Sequence, residues 1–569
     1  MFSPCWRIFG IIATSLSALV LADAAANGNK THLNPTIPGW HSDPSCVFVP
    51  EWDDTFFCVT STFLVTPAIP VHASKDLVNW RLASHALTRE TQWPHFNTTG
   101  QNEGIFAITL RFHQGTFYAI TFFVSDGSNP LPPGLLFKTT DPFDDAAWSD
   151  PVLFRPGNID PDLFWDDDNV PYMTCAESFI STIDLDTGAL GPVTQLWNGT
   201  GDRNPEGPHV YKKDGWYYLL IAEGGTEVNH TVTMARSRTL TGTYVGFEGN
   251  PVLTNKNTGQ YFQTVGHADL FKDGTGHWWA SALATRSGPE WVNYPMGREM
   301  VVTPATWEEG QFPVISPVRG SESAWALPVS KNVRGRGPIY GTPDVFDFAP
   351  GTALPTNLLF WRWPNLSSFT ISPPGHPNTL RISPSPDISS GVDPISFIAR
   401  LQTDTLFEYS VDVSFAPTQL DEEAGITVFL TQLQHIDLGI VQVVDKLNHG
   451  MLQLRLRTTG GGNFGAAPPA VVHPIPNSWR AAPITLAVRA DNDTHYTFSA
   501  SSNSGLGRIV LGALPATIVS GGTGPFTGTL LGAYATANNG TGTTPAFISS
   551  WRYTGIAQKI DNHTFVPSW

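Results

Sequence analysis

The sequence predicts an all-β protein, with a five-bladed β-propeller followed by a C-terminal β-sandwich. Three observations carry this prediction: five repeats of one strand–turn–strand pattern, a Pro- and Gly-rich stretch after residue 332, and alternating apolar strands beyond that stretch. The chain has 569 residues, which is too long for one ordinary hydrophobic core, so two domains are expected.

Each of the five repeats combines a short apolar strand, a tight polar turn and an aromatic-rich strand. The repeats begin at Asp43, Ala107, Asp160, Glu206 and His267, which are 46 to 64 residues apart. Spacings near 50 residues with several short strands per unit are typical of one propeller blade per repeat. A run of unrelated hairpins in a sandwich is the alternative, and five alignable units favour the propeller.

The aligned repeats predict a ring of polar side chains on the propeller axis. The innermost strands of a propeller line its axis, so the first residues of the repeats should lie at one depth. Asp43, Asp160 and Glu206 are carboxylic acids and His267 is a histidine. A structural core would not gather like charges, because they repel one another and lose hydration. Clustered carboxylates suit acid–base chemistry, so these residues are the candidate catalytic set.

The chain divides into four predicted segments. Residues 1–24 are interpreted as a signal peptide, 30–332 as the catalytic propeller, 333–357 as a linker and 358–569 as the sandwich, whose strands resemble a lectin-like jelly roll. The short Pro-rich linker favours fixed docking of the two domains over free tethering. In that case the sandwich covers the propeller and shapes the pocket rim, rather than binding polysaccharide by itself.

The N-terminus predicts secretion. Arg7 precedes an apolar stretch, residues 8–20, and Ala22-Asp23-Ala24 is a small-x-small cleavage site. The alternative is a membrane anchor, but this stretch is too short to span a bilayer. We therefore expect an extracellular glycoprotein, because eight N-x-[ST] sequons accompany the signal. They are Asn29, Asn97, Asn198, Asn229, Asn365, Asn492, Asn539 and Asn562.

Composition excludes some partners. The net charge is −17 and charged residues make up 14% of the chain, so nucleic acid would be repelled and no membrane partner is expected. Aromatic residues, 12% of the chain, suit the faces of sugar rings. Cys46 and Cys58 flank a predicted hairpin turn, where a cross-strand disulfide and two buried thiols are equally good interpretations.

Several short motifs occur in the order and spacing of glycoside hydrolase family 43, and the chain resembles fungal members that act on xylan and arabinoxylan. The propeller motifs are 38–46 (PGWHSDPSC), 74–80 (SKDLVNW), 159–164 (IDPDLF), 205–209 (PEGPH), 222–226 (AEGGT), 266–270 (GHADL) and 297–299 (GRE). Segments 401–405 (LQTDT) and 422–426 (EEAGI) resemble the C-terminal sandwich of the family.

The resemblance implies roles for the candidate residues. Asp43 would be the general base, Glu206 the general acid, and Asp160 the residue that orients Glu206 and raises its pKa. The family inverts anomeric configuration, which requires two carboxyl groups about 6.5–9.5 Å apart with a water molecule between them. Arg298 matches an arginine that contacts substrate hydroxyls. Its alternative interpretation is a surface charge.

His267 matches a histidine on the propeller axis that binds a calcium ion through water in some members of the family. A buried histidine with satisfied hydrogen bonds is an equally good interpretation, so a structural calcium stays an alternative and no catalytic cofactor is expected. Phe106 stands where the family often has Trp and can stack on a sugar, although with less area. Met300 stands where Thr is common.

The resemblance predicts an exo-acting glycosidase that removes terminal pentoses from arabinoxylan or xylan of the plant cell wall. An α-L-arabinofuranosidase is favoured by residues 261–271 and 294–299, which look like arabinoxylan-debranching members. A β-1,4-xylosidase acting on xylo-oligosaccharides is the rival hypothesis. A carbohydrate-binding propeller without activity is the hypothesis from another class, and the three acids argue against it.

Overall fold

The computed structural model describes residues 31–127, 133–327, 330, 332–444, 450–503 and 507–569. The described residues form forty strands and seven short 3-10 turns. The predicted signal peptide and Asn29 lie outside the described residues. The 3-10 turns are Pro50–Trp52, Asp145–Ala147, Ala176–Ser178, Leu366–Ser368, Gly462–Phe464, Asn477–Trp479 and Ala516–Val519. The described residues contain no helix that is long and apolar enough to cross a membrane.

The N-terminal domain consists of consecutive antiparallel strands. They are β1 (Thr31–Leu33), β2 (Ser42–Val49), β3 (Thr55–Ser61), β4 (Val65–Thr66), β5 (Ala68–Ser74), β6 (Arg81–Leu87), β7 (Gly104–Ile105), β8 (Thr109–His113), β9 (Thr116–Val124), β10 (Gly134–Thr139), β11 (Val152–Phe154), β12 (Asp162–Trp165), β13 (Pro171–Cys175), β14 (Phe179–Thr182), β15 (Thr194–Gln195), β16 (Glu206–Lys213), β17 (Trp216–Glu223), β18 (Thr231–Ser237), β19 (Val245–Gly246), β20 (Phe262–Lys272), β21 (Trp278–Arg286), β22 (Glu299–Thr306), β23 (Val314–Ile315) and β24 (Ser321–Ser323).

Most of these strands form five separate sheets in chain order. Their orders are β2-β3-β5-β6, β11-β10-β9-β7 with β8 also on β9, β12-β13-β14-β15, β16-β17-β18-β19 and β20-β21-β22-β23. The first long strand of each sheet contacts its counterparts in the neighbouring sheets, in the closed order β2, β8, β12, β16, β20 and back to β2. The domain is therefore a β-propeller, and we call β2, β8, β12, β16 and β20 its inner strands.

The hairpin between β2 and β3 carries a disulfide. Cys46 and Cys58 lie directly opposite each other in the two strands and are joined. Of the two interpretations that the sequence left open, the structure therefore has the cross-strand disulfide. Cys175 is a buried free thiol, and burial raises its pKa to about 12, so it is not an activated nucleophile.

The C-terminal domain is a two-sheet sandwich. Its strands are β25 (Asp344–Phe346), β26 (Phe360–Trp361), β27 (Phe369–Ile371), β28 (Leu380–Ile382), β29 (Phe397–Leu401), β30 (Leu406–Ser414), β31 (Glu423–Thr431), β32 (Gln434–Val444), β33 (Gly450–Thr459), β34 (Val471–Pro474), β35 (Ile484–Ala490), β36 (His495–Ser502), β37 (Arg508–Pro515), β38 (Leu530–Thr536), β39 (Ala546–Lys559) and β40 (Phe565–Pro567).

The two sheets of the sandwich enclose an apolar core. One sheet has the order β27-β28-β39-β30-β35-β36-β37, with β25 and β40 also on β39, and the other has the order β29-β38-β31-β32-β33-β34. Alternate residues such as Val411 in β30 and Ile426 in β31 are fully buried between the sheets. This alternation is the pattern expected of strands with one face in a core.

The two domains share buried contacts. One apolar cluster joins propeller residues such as Phe63 and Ile105 to sandwich residues such as Phe397 and Leu530. Strand β26 also pairs with β4 of the propeller. A continuous apolar interface of this kind holds domains in a fixed relation.

Candidate active site

In four of the five inner strands, or directly before them, one residue has a left-handed backbone conformation that kinks the chain. Asp43, Asp160, Gly207 and His267 have φ of 50°, 58°, 53° and 48°, in the left-handed region. This conformation is unfavourable for residues other than glycine and is concentrated at functional sites. The kinks lie at the same position of the repeat, because each precedes by two residues a polar residue of the inner strand. These partners are Ser45, Asp162, His209 and Asp269 respectively.

The sequence alignment of the repeats is wrong by one residue at Glu206. The strand register is interrupted between Ser42 and Ser45 in β2, and between Glu206 and His209 in β16. Glu206 therefore corresponds to Ser42, and Gly207 corresponds to Asp43. The kink in β16 falls on a glycine without a side chain, and the residue before it supplies the carboxylate instead.

We call Asp43, Asp160, Glu206 and His267 the first ring. Asp43 and Asp160 are buried, with 5% and 6% of their surface exposed, and Glu206 is partly buried. The Ser61 hydroxyl donates a hydrogen bond to Asp43 Oδ2 at 2.8 Å. His267 Nδ1 lies 3.6 Å from Asp43 Oδ1. The first ring thus brings together the four residues that the sequence singled out.

Arg298 is the cation of the first ring. It is buried, and its Nη1 lies 3.5 Å from Asp43 Oδ1. Burial lowers the pKa of Arg298, while Asp43, Glu206 and Asp160 each raise it, so the guanidinium interacts with all three carboxylates. The surface-charge interpretation of Arg298 is therefore wrong.

The environment favours the protonated forms of two carboxyl groups of the first ring, Asp160 and Glu206. Burial, followed by the negative charge of Asp160, raises the pKa of Glu206 to about 7. Burial, followed by the charge of Asp43, also raises the pKa of Asp160 to about 7. The Gly207 N–H donates to Asp160 Oδ2 at 3.0 Å, which favours the ionised form of Asp160. Asp160 and Glu206 therefore form a pair of neighbouring carboxyl groups whose pKa values are both raised by burial and by nearby negative charge.

Aromatic rings pack together next to Trp40, whose indole N–H donates to the Ser42 hydroxyl, beside Asp43 in the chain, at 3.1 Å. The ring centroids of Trp40 and Phe63 are 5.6 Å apart, and those of Phe63 and Phe106 are 4.8 Å apart. The sandwich supplies Phe526, whose ring lies 4.2 Å from the Arg298 guanidinium carbon. The Ser42 hydroxyl donates to the Phe526 carbonyl at 3.4 Å. A residue of the sandwich thus contacts both Arg298 and Ser42, next to the first ring.

The loop that carries Phe526 fits closely against the propeller. A Cβ atom on Gly297, at φ 64°, would lie 2.3 Å from the Thr527 carbonyl oxygen. The Thr529 N–H donates to the Pro295 carbonyl at 2.8 Å. A side chain at Gly297 would push this loop, and with it Phe526, away from Arg298.

Residues 32–313 match the profile of glycosyl hydrolases family 43, and residues 345–554 match that of the β-xylosidase C-terminal concanavalin A-like domain. The non-reducing end α-L-arabinofuranosidase BoGH43B of Bacteroides ovatus is 31% identical over 529 residues, which cover 91% of this chain and 93% of the relative. The chain belongs to glycoside hydrolase family 43. It is a glycoside hydrolase with the propeller and C-terminal sandwich of that family.

Other members of family 43 match this enzyme over most of their length. The xylosidase/arabinosidase 43B of Humicola insolens is 28% identical, over 90% of this chain and 96% of the relative. The solved structure of Bacteroides ovatus Xyloglucan PUL GH43B has a TM-score of 0.81 at 30% identity, over 92% of this chain and all of that one. The xylan β-1,4-xylosidase from Bacillus halodurans has a TM-score of 0.79 at 26% identity, covering 92% and 99%.

A second set of polar residues in this family 43 enzyme was missed by the sequence analysis. Ser45, Arg111, Asp162, His209 and Asp269, here called the second ring, come from the five inner strands. Their signal was present, since Asp160-Pro-Asp162 and His267-Ala-Asp269 repeat an i, i+2 spacing, and side chains two apart share a face of a strand. Phe526 carried no such signal, because it lies in a loop of the other domain.

Proposed function

We propose that this exo-glycosidase is a secreted, inverting α-L-arabinofuranosidase that removes terminal arabinofuranose from arabinoxylan. Asp43 accepts a proton from a water molecule, and the water oxygen attacks the anomeric carbon. Glu206 donates its proton to the glycosidic oxygen as the bond to it breaks, which releases the shortened polysaccharide. Asp160 positions Glu206, while Arg298 and Phe106 contact the sugar.

One observation carries this assignment: three carboxyl groups share a single arginine at one end of the propeller axis. Arg298 can balance one negative charge, so the remaining carboxyls favour protonation. A partly exposed carboxyl with a pKa near 7 is suited to general acid catalysis at near-neutral pH, and Glu206 has both properties. Asp43 accepts the Ser61 hydrogen bond and lies 3.5 Å from Arg298 Nη1, and these contacts hold its carboxyl group in place as the base.

The sugar specificity rests on relatives. The name of the Bacteroides ovatus relative, non-reducing end α-L-arabinofuranosidase, supports the arabinose assignment. The names xylosidase/arabinosidase and xylan β-1,4-xylosidase support the second candidate, a β-1,4-xylosidase acting on xylo-oligosaccharides. The C-terminal profile, of a β-xylosidase domain, also supports that candidate.

Further features of the proposal concern location and architecture. Secretion and glycosylation are supported by the sequon asparagines Asn97, Asn198, Asn229, Asn365, Asn492, Asn539 and Asn562, which are all exposed. We also propose that the five sheets are five blades around one axis, supported by the closed order of contacts among β2, β8, β12, β16 and β20.

A paired assay tests the proposed specificity. The enzyme is assayed on para-nitrophenyl α-L-arabinofuranoside, on para-nitrophenyl β-D-xyloside and on intact arabinoxylan. The proposal expects kcat/KM on the arabinofuranoside to exceed that on the xyloside by more than tenfold, with arabinose released from arabinoxylan. A preference for the xyloside, with xylose released from xylo-oligosaccharides, would assign the β-xylosidase function instead.

A further inference from the structure

The second ring lies directly beneath the first ring on the propeller axis. Asp162 and Asp269 each follow a first-ring residue by two positions, about 6–7 Å along an extended chain, and the ring centroids of His209 and His267 lie 6.5 Å apart. Arg111 enters this ring from β8. Its guanidinium contacts side chains from the inner strands of all four other sheets.

The contacts of Arg111 resemble the coordination of a central ion. Its Nη1 lies 2.7 Å from Asp269 Oδ2, and its Nη2 lies 2.8 Å from Asp162 Oδ2. Nη2 is also 3.1 Å from His209 Nδ1, and Nη1 is 3.3 Å from the Ser45 hydroxyl. Burial by itself would raise the pKa of Asp269, but the nearby Arg111 charge outweighs burial and holds that pKa well below its usual range.

The carboxylate oxygens of this ring are fully engaged. Asp269 Oδ2 also accepts a hydrogen bond from the Ser45 hydroxyl at 2.7 Å, and Asp269 Oδ1 accepts one from the Tyr211 hydroxyl at 2.7 Å. Asp162 Oδ1 accepts the Leu163 N–H at 2.6 Å, and Asp162 Oδ2 lies 2.9 Å from His209 Nδ1. Each of the four oxygens therefore has a donor from the protein.

A divalent ion does not fit this donor set. Calcium takes six to eight oxygen ligands, and the carboxylates below His267 are occupied by Arg111 and its neighbours. Among the residues that the structure describes, no three His, Cys, Asp or Glu side chains are grouped so that they could hold a metal. The resemblance suggests a calcium ion on the axis near His267, but the residues below His267 leave no free carboxylate oxygen to bind it.

We propose that Arg111 is the built-in axial cation of this enzyme, in place of a divalent metal ion. It neutralises Asp162 and Asp269 and so fixes the strands that carry Asp160 and His267. Without Arg111, two buried carboxylates would face each other unpaired, which is strongly unfavourable. The space vacated by the guanidinium would then be a site for Ca²⁺, with Asp162 and Asp269 as its ligands.

Thermal unfolding with and without calcium tests this inference without using activity. The wild-type melting temperature should be the same in EDTA and in millimolar CaCl2. Arg111→Ala should melt at a lower temperature in EDTA and recover by about 2 °C or more in millimolar CaCl2. The double variant Arg111→Ala/Asp269→Asn, which lacks one ligand, should lose this recovery.

Arg111→Lys is the matched control. It keeps a positive charge on the axis, so its melting temperature should not respond to CaCl2, although it loses the second contact arm of the guanidinium. A wild-type enzyme that is stabilised by calcium, or that loses activity in EDTA and regains it with calcium, would overturn the inference. An Arg111→Ala variant that folds and ignores calcium would also overturn it. If that variant does not fold, the wild-type and Arg111→Lys melting curves still decide the question.

Discussion

Three residues of the first ring, Asp43, Asp160 and His267, each lie two positions before a residue of the second ring, and the two rings differ in how closely their negative charge is compensated. In the second ring, Asp162 and Asp269 lie on either side of the Arg111 guanidinium. In the first ring, three carboxyl groups share Arg298, whose nearest approach to Asp43 is 3.5 Å. The second ring has two carboxylates for one guanidinium at 2.7–2.8 Å, whereas the first ring has three carboxyl groups for one guanidinium at a longer distance.

This difference indicates which carboxyl groups near the axis can hold and transfer a proton. Arg111 lowers the pKa of Asp269, so that carboxylate stays ionised and takes no part in proton transfer. Burial and the neighbouring Asp160 raise the pKa of Glu206 to about 7, so Glu206 can hold a proton for delivery. Carboxyl groups at neighbouring positions can therefore have different roles: Asp269 stabilises the structure and Glu206 can donate a proton. The positive charge next to each group decides between these roles.

The largest expected effect comes from removing the proposed base. Asp43→Asn should lower kcat on arabinoxylan by about 10⁴-fold, because the attacking water loses its proton acceptor. Added azide should not restore turnover, since inversion proceeds without a covalent intermediate. Steady-state kinetics and polarimetry or NMR of the first-formed anomer measure both effects.

Two results would remove Asp43 from the role of base. The first is a kcat within tenfold of wild type. The second is azide rescue that yields a glycosyl azide of retained configuration, which would make a carboxylate of the site a nucleophile.

Asp269→Asn should produce the largest change in the second ring, and this change is in stability. The substitution removes the ion pair between Asp269 and Arg111 and places an amide N–H₂ where the carboxylate accepted the Ser45 and Tyr211 hydroxyls, while Asp162 still compensates Arg111. We expect a loss of about 1–3 kcal/mol, the cost of buried donors left without an acceptor. Asp150→Asn is the matched control, because Asp150 is 74% exposed in its ion pair with Arg89, and such pairs contribute about 0–1 kcal/mol. Equal denaturation midpoints for the two variants would contradict the proposed stabilising role of the second ring.

The sequence analysis found the first ring because its residues stand in recognisable repeats, with Asp43-Pro and Asp160-Pro at the strand starts. It misplaced Glu206 by one position because it aligned acid with acid, whereas the equivalent interruptions of β2 and β16 match Gly207 with Asp43 and Glu206 with Ser42. A bulge is chosen by the surrounding sheet as well as by local residue preference.

The second ring and Phe526 were missed in the sequence for two different reasons. Arg111 lies in the repeat whose first residue, Ala107, is apolar, and a search of that repeat for a charged residue would have found it. Phe526 could not be found in this way, because the Ser42 contact joins residues 484 positions apart and depends on how the two domains dock. Pairing within a repeat follows from local pattern, whereas docking depends on the complete shape of both surfaces.

The proposed acid should show an effect that depends on the leaving group. Glu206→Gln should lower kcat/KM on arabinoxylan by about 10²–10³-fold, because the departing sugar oxygen needs a proton. The loss should be much smaller on an activated aryl arabinofuranoside, whose leaving group departs without protonation. Parallel assays on the two substrates measure the ratio of the losses, and equal losses would contradict the role of Glu206 as acid.

The smallest predicted effect is a shift in pH dependence on Asp160→Asn. The acid is active while protonated, so the alkaline limb of the kcat/KM profile reports the pKa of Glu206 and should lie near pH 7 in the wild type. The Asp160 charge is the second cause of that raised pKa, after burial. Its removal should lower the pKa and move the alkaline limb to lower pH, by up to about one unit because burial remains.

Asp162→Asn is the control for this shift, since the charge of Asp162 is already balanced by Arg111 at 2.8 Å. Its alkaline limb should stay close to that of the wild type. A general fall in activity without movement of the limb would indicate that Asp160 orients Glu206 without setting its pKa. Movement of the limb to higher pH would mean that Asp160 acts mainly as a hydrogen-bond partner of the ionised Glu206, the reverse of charge repulsion.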